Sequence, residues 1–125
     1  MSMQIEIYPP DRIVVGIGRG PLSLPEIGQF VAEMIHSNVV HYHKLVDVSG
    51  ADLSALSQDD LRSIDVPLNE LKLKRPRGAL AIVADPRHDE QAHIFKMLTS
   101  GERPVEVFRS IHDARKWLEA QPYDD

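Results

Sequence analysis

Cysteine is absent from all 125 residues. That removes disulfides, thiolate zinc sites and cysteine nucleophiles together. No apolar run approaches the roughly 20 residues a membrane-spanning helix needs. The stretch from Met1 to Pro10 has neither the basic nor the apolar segment of a signal peptide, so the expected location is the cytoplasm. A basic surplus is missing too. The net charge is −5, whereas general nucleic-acid binding needs a positive face to neutralise phosphates. Charge blocks and repeats, the marks of disorder, are also lacking. What remains is 42% hydrophobic and 26% charged, the balance of an ordinary globular chain. Its length suits one domain over residues 1–121, with 122–125 a frayed tail.

Periodicity and punctuation give the order of elements. Met3, Ile5 and Ile7 alternate with Gln4, Glu6 and Tyr8, the period of a half-buried strand. A turn at Pro9–Asp11 leads to a second apolar run, Ile13 to Ile17, and so short a link implies an antiparallel hairpin. Ser23 and Glu26 have capping-box spacing ahead of Ile27, Phe30, Val31, Met34 and Ile35, one apolar helical face. Asn38 suits a left-handed stop. A third strand is expected over Lys44–Val48. Ser57 with Asp60 opens a short helix, which Pro67 interrupts because it has no amide donor. Leu68, Leu71 and Leu73 suggest a further turn. Gly78–Ala84 is almost wholly apolar, as a strand covered on both faces should be. Asp85-Pro86 is expected to open the next helix, with Ala92, Phe95 and Leu98 inward and Gly101 at its end. Val105–Phe108 is a fifth strand, and Ser110 with Asp113 caps the last helix. The string β-β-α-β-α-β-α-β-α predicts one mixed five-stranded sheet with helices packed on it.

Three stretches carry a family resemblance: Leu45–Gly50, Ala79–Asp85, and Val105–Leu118 with its Trp117-Leu118 ending. In these the chain resembles the SpoIIAA-like group of STAS domains, those of sulfate transporters and anti-sigma factor antagonists, also described as STAS/SEC14-like. The resemblance spans essentially the whole chain but rests on structural residues, so it implies a fold more than a site. It implies either a regulatory module acting through protein contacts, or a carrier of a lipophilic ligand. Antagonists of this fold carry an aspartate-serine-serine-glycine motif with a phosphorylated serine. The corresponding residues here are Ala55-Leu56-Ser57-Gln58. Only Ser57 survives as a phosphoacceptor, and its spacing to Asp60 favours the plainer role of a helix cap.

Other candidates are weighed against plainer roles. Gly16, Gly18 and Gly20 fail the dinucleotide fingerprint, because Pro21 and Ser23 stand where glycine is required; no Gly-Lys pair makes a phosphate loop. The glycines instead suit close approach of a helix to the sheet. His88 and His93 lie roughly 140° apart around a helix and cannot clamp one ion. His41 and His43 share a strand face with no acid beside them. No pattern commits the chain to a metal or a cofactor.

Ligands of parallel sheets collect beyond the strand carboxyl ends. Those ends would supply Arg19, Asp47, Ser49, Asp85, Arg87 and Arg109. Lys72, Lys74, Arg75 and Arg77 place four positive charges in six residues. They are expected to project into water and to dock an acidic partner, or else to form a merely solvated segment. The leading expectation is a non-enzymatic binding or regulatory module working through protein contacts and a small ligand. The alternatives are a carrier of a small lipophilic ligand and an enzyme with a strand-end cleft. An apolar cavity would favour the carrier; paired groups with opposed pKa shifts in a cleft would favour the enzyme. The protein partner and the homo-oligomeric state are left open.

Overall fold

A computed structural model of the chain describes residues 2–73 and 75–122. Of the tail expected to fray, 123–125 lie outside the described residues, as does Lys74 of the basic segment. Strand β1 (Ser2–Tyr8) pairs antiparallel with β2 (Ile13–Pro21) across a 3-10 turn at Pro9–Asp11. Then follow α1 (Leu24–His36), β3 (His43–Asp52), α2 (Gln58–Ser63), α3 (Val66–Asn69), β4 (Leu80–Val83), α4 (Glu90–Thr99), β5 (Val105–Phe108) and α5 (Ile111–Glu119). The five strands form one sheet in the order β1-β2-β3-β4-β5, parallel from β2 onward. Among the described residues no helix is long and apolar enough to cross a membrane.

Each crossover from β2 to β5 moves one strand in the same direction. Right-handed connections therefore stack their helices on one face. That face buries Phe30, Val31 and Met34 of α1, Leu61 of α2, Leu68 of α3, and Ala92 and Phe95 of α4. The opposite face carries α5, whose Ala114 and Leu118 pack on Leu45, Ala79, Ala81 and Val83. β4 alternates Leu80 and Ile82 toward one layer with Ala81 and Val83 toward the other, and all four are buried. Hence its sequence is continuously apolar.

Local signals hold in detail. Ser23 and Ser57 form full capping boxes with Glu26 and Asp60, and the Ser110 hydroxyl accepts from the Asp113 amide. Asn38 takes φ 57°, and the Val39 amide donates to Met34 while that of Asn38 donates to Ile35. This left-handed closure satisfies the last carbonyls of α1. A Cβ on Gly16 would lie 2.7 Å from the Phe30 ring, so glycine there lets α1 settle onto β2.

Two expectations need adjustment. Asp85-Pro86 does not open α4, which begins at Glu90. The Asp85 carboxylate accepts from the Arg87 amide at 2.9 Å, a local turn that competes with helix formation. The interruption expected at Pro67 is present: Pro67 sits in the first turn of α3 and cannot continue α2, and Leu68 lies in the further turn. β3 runs four residues beyond Val48, pairing Gly50, Ala51 and Asp52 with the end of β2 after a register shift.

Candidate functional site

Between the sheet and the α1–α4 layer lies a cavity of about 120 Å³. Its wall is largely aliphatic, with Leu22, Phe30, Val48, Leu61, Ile82 and Phe95 representative of the lining. Packing fails to fill the space because the layer is made of pieces: α2 and α3 are short, and a break at Ile64-Asp65 separates them. Four charged side chains, Lys44, Asp65, Arg77 and Arg103, line the same cavity. Lys44 stands at the start of β3, and Arg77 and Arg103 lie just before β4 and β5. The charges therefore gather at the amino ends of three adjacent parallel strands.

Asp65 is 2% exposed and its Oδ2 accepts from Arg77 at 2.9 Å and from Arg103 at 3.2 Å. Arg77 also donates to Asn69 and Glu102. Arg103 donates to the Thr99 carbonyl and lies 5.5 Å from the Phe95 ring centroid, within cation–π range. Burial alone would raise the Asp65 carboxyl, but the Glu102 carboxyl and the two guanidiniums carry it below its ordinary value. Glu102 is pushed the other way, by its bond to Asp65 and by burial.

Among the described residues Lys44 has no carboxylate partner. The residue is 4% exposed, and its ammonium donates to the carbonyls of Val40 at 2.7 Å and Gly78 at 3.1 Å. An ammonium has three donors. Among the described residues only these two acceptors meet it. Burial, then Arg103 and Arg77, pull Lys44 down to about 7. The carbonyl cradle depends on Gly78, where a Cβ would fall 2.0 Å from the Tyr42 oxygen. No side chain beyond hydrogen fits there. His43 next door is buried as well. Its Nδ1 accepts from the Ala79 amide at 3.0 Å, and its Nε2 faces the Gln121 carbonyl at 3.2 Å, which assigns the proton to Nε2.

The candidates read from sequence fall elsewhere, with one exception. Asp47 accepts from Ser49 and Asp85 pairs with Arg87, each two residues along its own chain. Arg19 and Arg109 are exposed. Among the described residues none of these six lines the cavity. The topology gives the reason: a crevice forms at a switch point where successive crossovers reverse direction, and here β2 to β5 run in strict order. Ser57 is exposed and its hydroxyl accepts from the Asp60 amide at 3.0 Å. Of the basic segment, Lys72 and Arg75 face water. Arg77 corrects the expectation of a solvated run, because its side chain is 9% exposed and turned onto Asp65.

Sequence reasoning missed Lys44, Asp65 and Arg103. One signal was available. Lys44 shares the strand phase of Val46 and Val48, so the alternation that buries those valines also buries it.

A sheet in this order, with one antiparallel edge strand and helices on both faces, defines the SpoIIAA-like fold. A solved structure supports it: the crystal structure of an uncharacterized protein of the DUF3478 family from Shewanella loihica PV-4, described as having a SpoIIAA-like fold. It superposes with a TM-score of 0.62 over 94% of each chain, at 16% sequence identity. That likeness is one of fold. No family model matches the sequence, and no curated protein matches it.

Proposed function

We propose that the chain is a non-enzymatic binding module that holds a small, largely apolar ligand between its sheet and the α1–α4 layer. The observation carrying this reading is the cavity of about 120 Å³ with its aliphatic wall. Drug-sized pockets begin near roughly 300 Å³, so the occupant is small. An engineered apolar cavity of roughly 150 Å³ binds benzene, which scales to an apolar chain of roughly five carbons here. Asp65 and Glu102 do shift in opposite directions, as an acid and a base would. However, both guanidiniums occupy the Asp65 carboxylate, and no Ser, Thr, His or Tyr lines the cavity among the described residues. A nucleophile paired with a base is what acyl or phosphoryl chemistry would need.

The test is to fill the space. Ala92 lines the cavity and is 3% exposed, and Ala92→Leu would place three more carbons there. Hexan-1-ol should shift amide resonances of Leu22, Ile82 and Phe95 in the wild type and leave a folded Ala92→Leu unmoved. If neither hexan-1-ol nor hexanoate perturbs the wild-type spectrum, the reading fails.

A second reading, docking of an acidic protein partner, is favoured by one surface. Val66 and Leu73 are exposed apolar residues close in sequence to exposed Lys72 and Arg75. Charge there would give salt-sensitive attraction. A Lys72/Lys74/Arg75→Ser variant should lose its partners in a low-salt pull-down from host lysate. An unchanged set of partners would mark the segment as a solvated face.

A further inference from the structure

We infer that the ligand of this cavity is a short monocarboxylate, its carboxylate seated on the Lys44 ammonium and its chain of roughly five carbons lying against Leu80, Ile82 and Phe95. The assignment rests on the reading of the cavity as a binding site and names the chemistry it would take.

Charge is counted from the groups that meet there. Arg77 and Arg103 share the Asp65 carboxylate, and Arg77 also reaches Glu102 at 3.4 Å. Those two cations are matched by two carboxyl groups of the protein. Among the described residues Lys44 is the surplus charge, held by the backbone carbonyls of Val40 and Gly78 alone. A buried cation without an anion is costly, and a hydrogen-bonded negative group beside it offsets part of that cost. One surplus positive charge selects a monoanion; a phosphate dianion would overcompensate. The hydrocarbon wall selects an apolar remainder, and the volume limits its length.

The third N–H of the ammonium completes the fit. With two donors already on the Val40 and Gly78 carbonyls, the remaining one is available to a ligand oxygen. A neutral amine has only two donors, and both are spent. Binding should therefore recruit a proton to Lys44, whose release the protein's own surroundings favour near pH 7. The charged and titratable groups that bear on it are Arg77 and Arg103 from the segments before β4 and β5, Asp65 between α2 and α3, and His41 and His43 at the start of its own strand. Glu102 acts through Asp65 and Arg77.

The experiment is isothermal titration of the full chain with hexanoate, hexan-1-ol and hexyl phosphate at pH 6.5 and 8, in two buffers of different ionisation enthalpy. Wild type should bind hexanoate at least tenfold tighter than hexan-1-ol at pH 6.5, and should take up close to one proton per hexanoate at pH 8. Lys44→Met should lose both the preference and the proton uptake while still binding hexan-1-ol. Where Lys44→Met does not fold, the wild-type proton uptake decides alone. Equal affinity for hexanoate and hexan-1-ol without proton uptake overturns the carboxylate assignment and leaves the apolar-cavity reading standing. Tighter binding of hexyl phosphate than of hexanoate overturns the monoanion. Failure of every probe to bind overturns both readings.

Discussion

Lys44 should make the stability of this protein rise with pH across a range where most proteins are flat or falling. In the unfolded chain its amine titrates near 10.4; folded, it is held at about 7. Below pH 7 both states carry the proton, and the fold bears the full cost of a buried charge. Between pH 7 and about 10.5 the folded protein has released a proton that the unfolded chain still binds, so stability climbs with pH. Above that range both states are neutral and the climb ends. The total gain is on the order of 5 kcal/mol. Lys44→Met removes the titration and also the donor to Gly78, whose carbonyl then stands unpaired, a pH-independent cost of about 1–3 kcal/mol. The Val40 carbonyl keeps the Gly78 amide. The variant should therefore match or exceed the wild type at pH 6 and fall below it at pH 10. Urea unfolding at pH 6, 8 and 10 gives both curves, followed by the fluorescence of Trp117, which lies against Phe108, and by circular dichroism. Other titrations cancel in the difference between the two proteins. A difference constant to within about 1 kcal/mol from pH 6 to 10 would show that Lys44 titrates as if in water, and the buried-charge argument would be wrong.

Asp65→Asn should destabilise by about 3–5 kcal/mol, because it leaves two buried guanidiniums facing a neutral amide; urea unfolding at pH 7 measures it, and a loss below 1 kcal/mol would mean the cluster is hydrated. Ser57→Ala should cost about 1 kcal/mol through the lost cap of α2. Phosphopeptide mapping from the native host should find Ser57 unmodified, and stoichiometric phosphate there would overturn the capping role. His43, held neutral chiefly by burial, should withdraw stability as pH falls below its unfolded value near 6.5. The check is the protection factor of the Ala79 amide, its exchange rate taken relative to the intrinsic rate at each pH, which should be smaller at pH 5 than at pH 7.

The fold was legible where its causes are local. A serine three residues before an acid at 23, 57 and 110, an asparagine able to turn left-handed at 38, and the even alternation of β1 each act within a few residues of themselves. Asp85-Pro86 misled for the same reason: the local bond from the Arg87 amide wins over a helix start that looks equally good in sequence. The cavity charges were illegible because no local rule assembles them. Lys44, Asp65, Arg77 and Arg103 belong to four separate segments and meet only because β3, β4 and β5 lie side by side. Arg77 was read with its sequence neighbours Lys72 and Arg75, yet its partner is Asp65, fixed by the turn between α2 and α3. Proximity along the chain predicted its charge and not its company.

The position of the cluster follows from the order of the strands. A doubly wound sheet splits its helices between faces, and the split opens a crevice at the carboxyl ends. Here every crossover from β2 to β5 goes the same way, so α1 to α4 form one layer and only α5 crosses to the other side. Without a switch point, incomplete packing falls inside the α1–α4 layer, under its two shortest helices. The chain must then enter β3, β4 and β5 from segments that pass beside that gap. Polar side chains on those segments can reach it with their backbones still at the surface. A buried lysine, an ion triad and an apolar cavity in one place are thus consequences of a single topological fact, and the same fact explains why Asp47 and Asp85 at the opposite strand ends are met locally by Ser49 and Arg87 instead.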